Sequence, residues 1–232
     1  MAAERSYVLV PGAGGEAWYW HRVVAELAAR GREGLAVDLP AAEESAGLVE
    51  YAQAVVDAVG DRRHVIMVGQ SMGAYAVSIS SERLSVDLLV LVNPMIPAPE
   101  ETPGEWWSNT GQGLARVEQA ARDGRSTEGG FDPIEGFFHD VPADVTAQAM
   151  ARGEPRQADR PFGDAWSLQA WPRVPTKVLQ GRDDRLFPVE FQRRVARERL
   201  GIEIDEMPGG HLVALSRPVE LVDRLEAYAA AL

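Results

Sequence analysis

One nine-residue stretch, residues 65–73 (VIMVGQSMG), constrains the fold of this chain more than any other. An apolar, mostly β-branched run ends in Gly-Gln-Ser-Met-Gly, and small residues typical of a helix follow at once. This pattern predicts a buried strand, a sharp turn centred on Ser71 and a helix. Gly69 and Gly73 carry no Cβ atom, so the strand and the helix can approach closely. We therefore expect Ser71 to project, with a strained backbone, from the carboxyl end of the strand.

Ser71 is a candidate nucleophile, although an ordinary serine in a strand-to-helix turn would give the same pattern. Met72 opens the predicted helix, so its backbone N–H has no partner within that helix and carries part of the positive end of the helix dipole. An N–H group of this kind can stabilise an oxyanion. The second donor is expected in the Gly-rich loop after the first predicted strand, where the candidate is the N–H of Ala13.

Strand-like and helical segments alternate along the chain. The predicted strands cover residues 6–10, 34–40, 64–68, 88–92, 176–180 and 202–206. The predicted helices of the same region cover residues 18–30, 48–59, 74–79, 188–200 and 218–232. Alternation of this kind is typical of a parallel sheet with helices on both faces. We expect one α/β domain over residues 1–232, with a mostly parallel sheet of about six strands.

The region between the fourth and fifth predicted strands breaks this alternation. Residues 104–171 show no strand pattern, but helical patterns occur at residues 113–122 and 143–152. The region holds the aromatic residues Trp106, Trp107, Phe131, Phe137, Phe138, Phe162, Trp166 and Trp171. A segment of this length cannot be a bare loop, so we predict a helical cap, residues 95–172, over the carboxyl edge of the sheet. Its aromatic side chains either roof an apolar pocket above Ser71 or pack the cap onto the body.

A serine nucleophile requires a general base. The chain has four histidines, and His211 is the one that follows the sixth predicted strand, in a Gly-rich loop. The other three lie in the first helix (His21), before the third strand (His64) and in the predicted cap (His139). Because the base is expected in a loop at the carboxyl edge of the sheet, His211 is the candidate.

The acid that orients the base is expected after the fifth strand, where Asp183 and Asp184 are adjacent. One of them should turn inward and the other should face Arg182, Arg185 or solvent; the local sequence does not choose. In the predicted mechanism His211 accepts the hydroxyl proton while the serine attacks an acyl carbon. The aspartate holds the imidazole tautomer and stabilises the imidazolium.

Composition excludes several other classes. The chain has no cysteine, so disulfides, thiolate metal sites and a cysteine nucleophile are ruled out. A net charge of −12 disfavours nucleic-acid binding. There is no apolar run long enough to span a membrane and no signal-peptide pattern. We expect a cytoplasmic protein that acts on a small molecule, with no cofactor or metal.

These motifs together resemble the α/β-hydrolase superfamily over essentially the whole chain. The matching segments are the serine turn, the Gly-x-x-Asp-x-x-x-Pro run at residues 181–188 and the Gly-Gly-His run at residues 209–211. In similar proteins the aspartate of the second run is the triad acid, which selects Asp184, and the oxyanion amides fall on Ala13 and Met72. The short sheet, the segment Ala-Trp-Tyr-Trp after the first loop and the cap are most similar to plant methylesterases and hydroxynitrile lyases, and to many bacterial esterases.

The chain also departs from the patterns of this superfamily. Pro11 stands where many members have a histidine before the oxyanion glycine. The lyases of this branch carry a threonine where Gly12 stands and a catalytic lysine in the cap, whereas the only lysine here is Lys177, outside the cap. Haloalkane dehalogenases have an aspartate where Ser71 stands. The resemblance therefore implies a serine esterase rather than a lyase of that type or a dehalogenase.

The resulting prediction is a carboxylesterase that cleaves a small or medium apolar ester through an acyl-enzyme on Ser71. The same groups can act on a thioester, lactone, amide or C–C bond. Two further alternatives are a slow or non-catalytic small-molecule receptor and a cofactor-free oxidase or perhydrolase activity on the same triad. The substrate pocket is predicted to include Gly14, Trp106, Trp107, Phe137, Phe138, His139 and Leu212.

Overall fold

A six-stranded sheet forms the centre of a computed structural model that describes residues 5–127 and 130–232. The strands are β1 (Ser6–Val10), β2 (Glu33–Ala36), β3 (Val65–Gln70), β4 (Val86–Val92), β5 (Thr176–Gly181) and β6 (Asp205–Met207). Their order is β2-β1-β3-β4-β5-β6, and every pairing is parallel. The predicted α/β architecture is confirmed.

Helices cover both faces of this sheet. In chain order they are α1 (His21–Ala29), α2 (Leu48–Val59), α3 (Gly73–Ser81), α4 (Pro103–Thr110), α5 (Gln112–Arg122), α6 (Pro133–Phe137), α7 (Ala143–Arg152), α8 (Arg160–Gly163), α9 (Val189–Leu200), α10 (Val213–Ser216) and α11 (Pro218–Ala230). Helices α4 to α8 lie between β4 and β5, in the segment we call the β4–β5 insertion (residues 93–175). Within the described ranges no helix has the length and apolar character needed to cross a membrane.

The hydrophobic core has two layers because successive strand residues point to opposite faces. In β1, Val8 and Val10 pack on the side of α2, α3 and α9. Tyr7 and Leu9 pack on the opposite side, with α1 and α11. All four side chains are buried. The strand pattern is therefore continuously apolar rather than alternating, as expected for a parallel sheet covered on both faces.

Two strands differ from their predicted bounds by more than two residues at one end. The second strand was expected over residues 34–40 but ends earlier, because the N–H of Leu39 donates to the carbonyl of Gly15 (2.8 Å) in the loop after β1 rather than to the sheet. The sixth was expected over residues 202–206 but is displaced toward Met207. As an edge strand, β6 pairs only with the last three residues of β5.

The helices differ from the sequence pattern mainly at the first helix and in the short elements. The first was expected over residues 18–30, but it begins as a separate 3₁₀ turn at Ala17–Trp20. Helices α4, α6, α8 and α10 were not predicted. The last three have five residues or fewer and cannot show a 3.6-residue periodicity, and α4 has only eight residues. The longer helices α5 and α7 of the insertion were predicted correctly to within one residue.

The strand order indicates where a ligand site is expected. From β1 the chain first moves to one side, to β2, and then crosses back to β3, β4, β5 and β6 on the other side. In open α/β sheets, ligands bind at the carboxyl ends of the strands where the order reverses in this way. Here that point lies between the ends of β1 and β3, where Gly12 and Ser71 follow the two strands.

A buried ion pair fixes the insertion to the body of the protein. Arg199 of α9 binds both carboxylate oxygens of Glu101, with one N–O distance of 2.8 Å. The two side chains are 13% and 4% exposed, and Asn109 donates a further hydrogen bond (2.9 Å) to the Glu101 carboxylate. The indole N–H of Trp106 donates to the carbonyl of Ile96 at 2.9 Å. The attachment of the insertion to the body therefore depends on polar contacts as well as on its aromatic residues.

Replacement of Glu101 by glutamine is expected to lower the free energy of unfolding by about 3–5 kcal/mol, because it leaves the Arg199 guanidinium buried without a charged partner. The matched control is Glu203→Gln. Glu203 pairs with Arg197, but those side chains are 71% and 63% exposed, so the loss should stay below about 1 kcal/mol. Denaturant unfolding of both variants measures the difference; equal losses would contradict the role given to the buried pair.

Candidate active site

The turn after β3 has the strained geometry that its sequence predicts. Ser71 has a φ of 51°, in the left-handed region that non-glycine residues seldom adopt. A Cβ atom on Gly69 would lie 2.7 Å from Val77, and one on Gly73 would lie 2.5 Å from the carbonyl oxygen of Pro11. Both distances are too short for a side chain, so both glycines are needed for the close packing of strand, turn and helix.

Backbone hydrogen bonds from the β4 side hold Ser71 in this conformation. Its N–H donates to the carbonyl of Val92 (3.0 Å), and its own carbonyl accepts from the N–H of Met95 (3.0 Å). The side chain is buried, and its hydroxyl makes no hydrogen bond to any other residue of the described chain. The hydroxyl is therefore available to react.

The structure brings Asp184, and not Asp183, to His211. The distance from His211 Nδ1 to Asp184 Oδ2 is 2.8 Å, and both side chains are buried. The other carboxylate oxygen, Oδ1, accepts the backbone N–H groups of Leu186 (2.8 Å) and Phe187 (2.9 Å). Because the carboxylate acts only as an acceptor, Nδ1 of His211 carries the hydrogen, and Nε2 of the neutral ring is left as a proton acceptor.

Asp183 holds the loop that bears the histidine. It was expected to face an arginine or solvent; it is exposed, and its carboxylate also accepts the N–H of Gly209 (2.9 Å). Its own N–H donates to the carbonyl of Gly209 (3.0 Å). Asp140 of the insertion accepts the next N–H, that of Gly210, at 2.8 Å. Two carboxylates therefore fix the Gly-Gly segment that precedes His211.

Asn93 is a positioning residue that the sequence analysis missed. Its side-chain amide donates to the carbonyls of Gly210 (3.0 Å) and His211 (2.9 Å) and accepts the N–H of Gly181 (2.7 Å). The residue is fully buried and has a φ of 44°. It therefore ties the ends of β4 and β5 to the histidine loop. An asparagine directly after a strand is the only sequence signal, since asparagine tolerates positive φ better than most residues.

Gln70 was also missed, although it immediately precedes the candidate nucleophile. Its side chain is buried and spans two parts of the site. Oε1 accepts the N–H of Gly12 (3.1 Å), and Nε2 lies 3.0 Å from Nε2 of His211. The serine turn, the loop after β1 and the histidine are therefore adjacent.

The two expected oxyanion donors, Ala13 and Met72, lie close to Ser71. Within the described ranges, neither the N–H of Ala13 nor that of Met72 makes a hydrogen bond to another residue. A Cβ atom on Gly12 would lie only 2.9 Å from Cβ of Ser71, so the loop that carries Ala13 lies directly against the serine. Met72 immediately precedes the first residue of α3. Both N–H groups are therefore free to bind an anion near Ser71.

An apolar groove of about 420 Å³ lies between the β4–β5 insertion and the loop after β5. It is lined by Trp107, Gln112, Arg116, Phe131, Pro133, Phe137 and Leu186. The Phe137 ring also contacts the imidazole of His211, with 5.4 Å between ring centres. Of the predicted pocket residues, Trp107 and Phe137 line this groove.

Three other predicted pocket residues pack the protein together. Trp106 is fully buried, and its ring centre lies 5.1 Å from that of Phe187 in the core. Phe138 and Leu212 are partly buried against a small cluster outside the main core. That cluster consists of Val141, Val145 and Leu215. The aromatic residues of the insertion therefore divide between attachment to the body and lining of the groove.

The remaining two pocket candidates contact the loops of the site. The N–H of Gly14 donates to the side chain of Gln157 in the insertion (2.8 Å). His139 lies against Gly210, where an added Cβ atom would be 2.6 Å from its Nε2. Burial lowers the pKa of His139 below its usual value, and the positive charge of Arg185 acts in the same direction. His139 is therefore favoured in its neutral form beside the histidine loop.

Comparisons with known proteins agree with this fold. The model of the alpha/beta hydrolase family matches residues 7–224. The probable esterase PIR7A of Oryza sativa subsp. indica is 26% identical over 97% of each chain, and methyl jasmonate esterase 1 of Vitis vinifera is 23% identical over 96% of each chain. The crystal structure of polyneuridine aldehyde esterase is similar with a TM-score of 0.76 and 19% identity, covering 97% of this chain and 99% of that one. The predicted resemblance is confirmed: the chain belongs to the alpha/beta hydrolase family.

Proposed function

We propose that this protein is a carboxylesterase that acts through Ser71, His211 and Asp184. The observation that carries the proposal is the buried 2.8 Å contact between Asp184 and His211 at the same sheet edge as the strained Ser71. A serine, an imidazole and a carboxylate in this order are the parts of a nucleophilic acyl-transfer site. The similarity to proteins named as esterases supports an ester as the bond that is cleaved.

The chemistry follows from these positions. Ser71 Oγ attacks the acyl carbon of the ester while Nε2 of His211 takes the hydroxyl proton. Asp184 stabilises the imidazolium, and the N–H groups of Ala13 and Met72 bind the carbonyl oxygen as it becomes negative. The alcohol leaves with the proton from His211. Water then attacks the acyl-enzyme, gives its proton to His211 and releases the carboxylic acid, and that proton returns to the Ser71 oxygen.

The loop after β1 favours an ester over the C–C bond of the related lyases. A side chain on Gly12 would place Cβ 2.6 Å from Oε1 of Gln70 and 2.9 Å from Cβ of Ser71. The threonine that those lyases carry at this position has no space in this arrangement. The insertion also has no lysine to serve as their cap residue.

We also propose that residues 95–172 act as a cap whose groove receives the apolar part of the substrate. The groove volume of about 420 Å³ falls in the range of small-molecule sites. Trp107, Phe131 and Phe137 offer aromatic surface, whereas Gln112 and Arg116 are its polar lining residues. This lining suits a small or medium apolar ester.

Turnover of p-nitrophenyl esters of graded chain length tests the function. We expect hydrolysis with an optimum among short to medium acyl chains, set by the groove. A p-nitrophenyl alkylphosphonate should inactivate the protein, and mass spectrometry of the digested product should locate the phosphonyl group on Ser71. No hydrolysis of any ester would contradict the esterase proposal, and a label on another residue would contradict the role of Ser71.

A further inference from the structure

The proposed reaction leaves Gln70 without a role, although its side chain touches the base. The residue is buried, and both ends of its amide make hydrogen bonds within the site. A buried amide placed against a catalytic ring affects which hydrogen bonds that ring can make.

The contact with Gly12 determines which way the amide points. The backbone N–H of Gly12 can only donate, so the Gln70 atom 3.1 Å away must be the oxygen. The NH₂ group therefore faces His211, with Nε2 of Gln70 3.0 Å from Nε2 of the ring and 3.4 Å from the histidine carbonyl. Reversing the amide would place two donors against each other at Gly12.

The nitrogen that Gln70 contacts is the one needed for catalysis. Because Nδ1 of His211 donates to Asp184, Nε2 of the neutral ring offers a single in-plane lone pair. The Gln70 NH₂ group occupies that lone pair. The hydroxyl of Ser71, which must donate its proton to the same atom, makes no hydrogen bond within the described ranges.

We propose that Gln70 is a positioning residue that occupies the proton-accepting nitrogen of His211 when no substrate is bound, and that its amide must turn away before His211 can serve Ser71. The inference rests on the proposed function. Once His211 takes a proton, Nε2 becomes a donor, and a second donor 3.0 Å away is unfavourable. When the amide turns away, it also loses its hydrogen bond to the N–H of Gly12. The step in which His211 becomes free to accept the Ser71 proton is therefore coupled to a change in the loop that carries Ala13.

Nitrogen-15 NMR of histidine-labelled, substrate-free protein tests which group occupies Nε2. The His211 signals are assigned by their loss in His211→Gln. In Gln70→Met, which keeps the length of the side chain but removes both polar atoms, the Nε2 resonance of His211 should move to higher frequency because its hydrogen bond is lost. In Ser71→Ala the same resonance should stay at its wild-type position, since the hydroxyl does not contact the ring.

The opposite pattern, a shift in Ser71→Ala equal to or larger than that in Gln70→Met, would overturn the proposal, as would no shift in either variant. If Gln70→Met does not fold, the test uses wild-type protein uniformly labelled with nitrogen-15. The measurement is then the scalar coupling between Nε2 of Gln70 and Nε2 of His211 across their hydrogen bond. Its presence supports the contact, and its absence overturns it. Neither readout needs turnover, so failure of the ester assay and failure of this inference are separate results.

Discussion

Ser71→Ala is expected to lower kcat for p-nitrophenyl ester hydrolysis by at least about 10⁴-fold. The alanine side chain has no oxygen to attack the acyl carbon, so no acyl-enzyme can form. The remaining hydrolysis would depend on the oxyanion donors and on binding alone. The measurement is steady-state turnover by wild type and variant, together with loss of phosphonylation in the variant.

The control for this variant is Ser108→Ala. Ser108 lies on α4 in the insertion, where its exposed hydroxyl donates to the backbone carbonyl of Glu105. Its replacement should leave turnover at the wild-type level. Turnover by Ser71→Ala within tenfold of wild type, with Ser108→Ala unchanged, would exclude Ser71 as the nucleophile.

Asp184→Asn is expected to lower kcat by about 10⁴-fold with the fold intact. The amide oxygen would keep the two backbone N–H groups that now bind Oδ1, those of Leu186 and Phe187. Its NH₂ group would then face Nδ1 of His211, which would have to become an acceptor. The ring hydrogen would move to Nε2, so the imidazole could no longer take the proton of Ser71.

The adjacent aspartate supplies a matched control for the acid. In Asp183→Asn the amide oxygen can still accept the N–H of Gly209, so the loop before His211 should keep its position. We expect turnover to fall by less than about tenfold, the effect of weakening one partly buried hydrogen bond. Kinetic constants of the two variants, with thermal unfolding of each, separate the roles. Equal losses in the two would show that Asp184 does not have the special role assigned to it.

The parts of the fold that sequence predicts well are those governed by local periodicity. The strand that becomes β3 and the long helices α2, α5 and α7 were predicted to within two residues at each end, because their apolar patterns extend over enough residues to be read. The end of β2 was not predicted, since the N–H of Leu39 donates to a carbonyl in another loop. Short helices such as α10 contain too few residues to show a 3.6-residue periodicity of apolar side chains.

The candidate site also has parts that the local sequence predicts and parts that it does not. The turn at Ser71 depends on neighbouring glycines, so its geometry is a local property. His211 and the adjacent pair Asp183 and Asp184 were selected by their order after successive strands, which the parallel sheet brings to one edge. The resemblance to the α/β-hydrolase superfamily then selected Asp184. The contacts of Gln70 and Asn93 join residues 58 to 141 positions apart, and no local pattern marks either side chain.

The sequence by itself therefore determined the α/β class, the strained serine turn and the chemical groups available for acyl transfer. These depend on short-range sterics and on the periodicity of apolar residues. The local sequence left Asp183 and Asp184 open, and the tertiary structure brings Asp184 to the imidazole, as the resemblance implied. Only the tertiary structure decided which aromatic residues line a groove and which lie in the core, and that Gln70 contacts Nε2 of His211. Each of those outcomes depends on distances between side chains on different strands and loops, which only the packed chain defines.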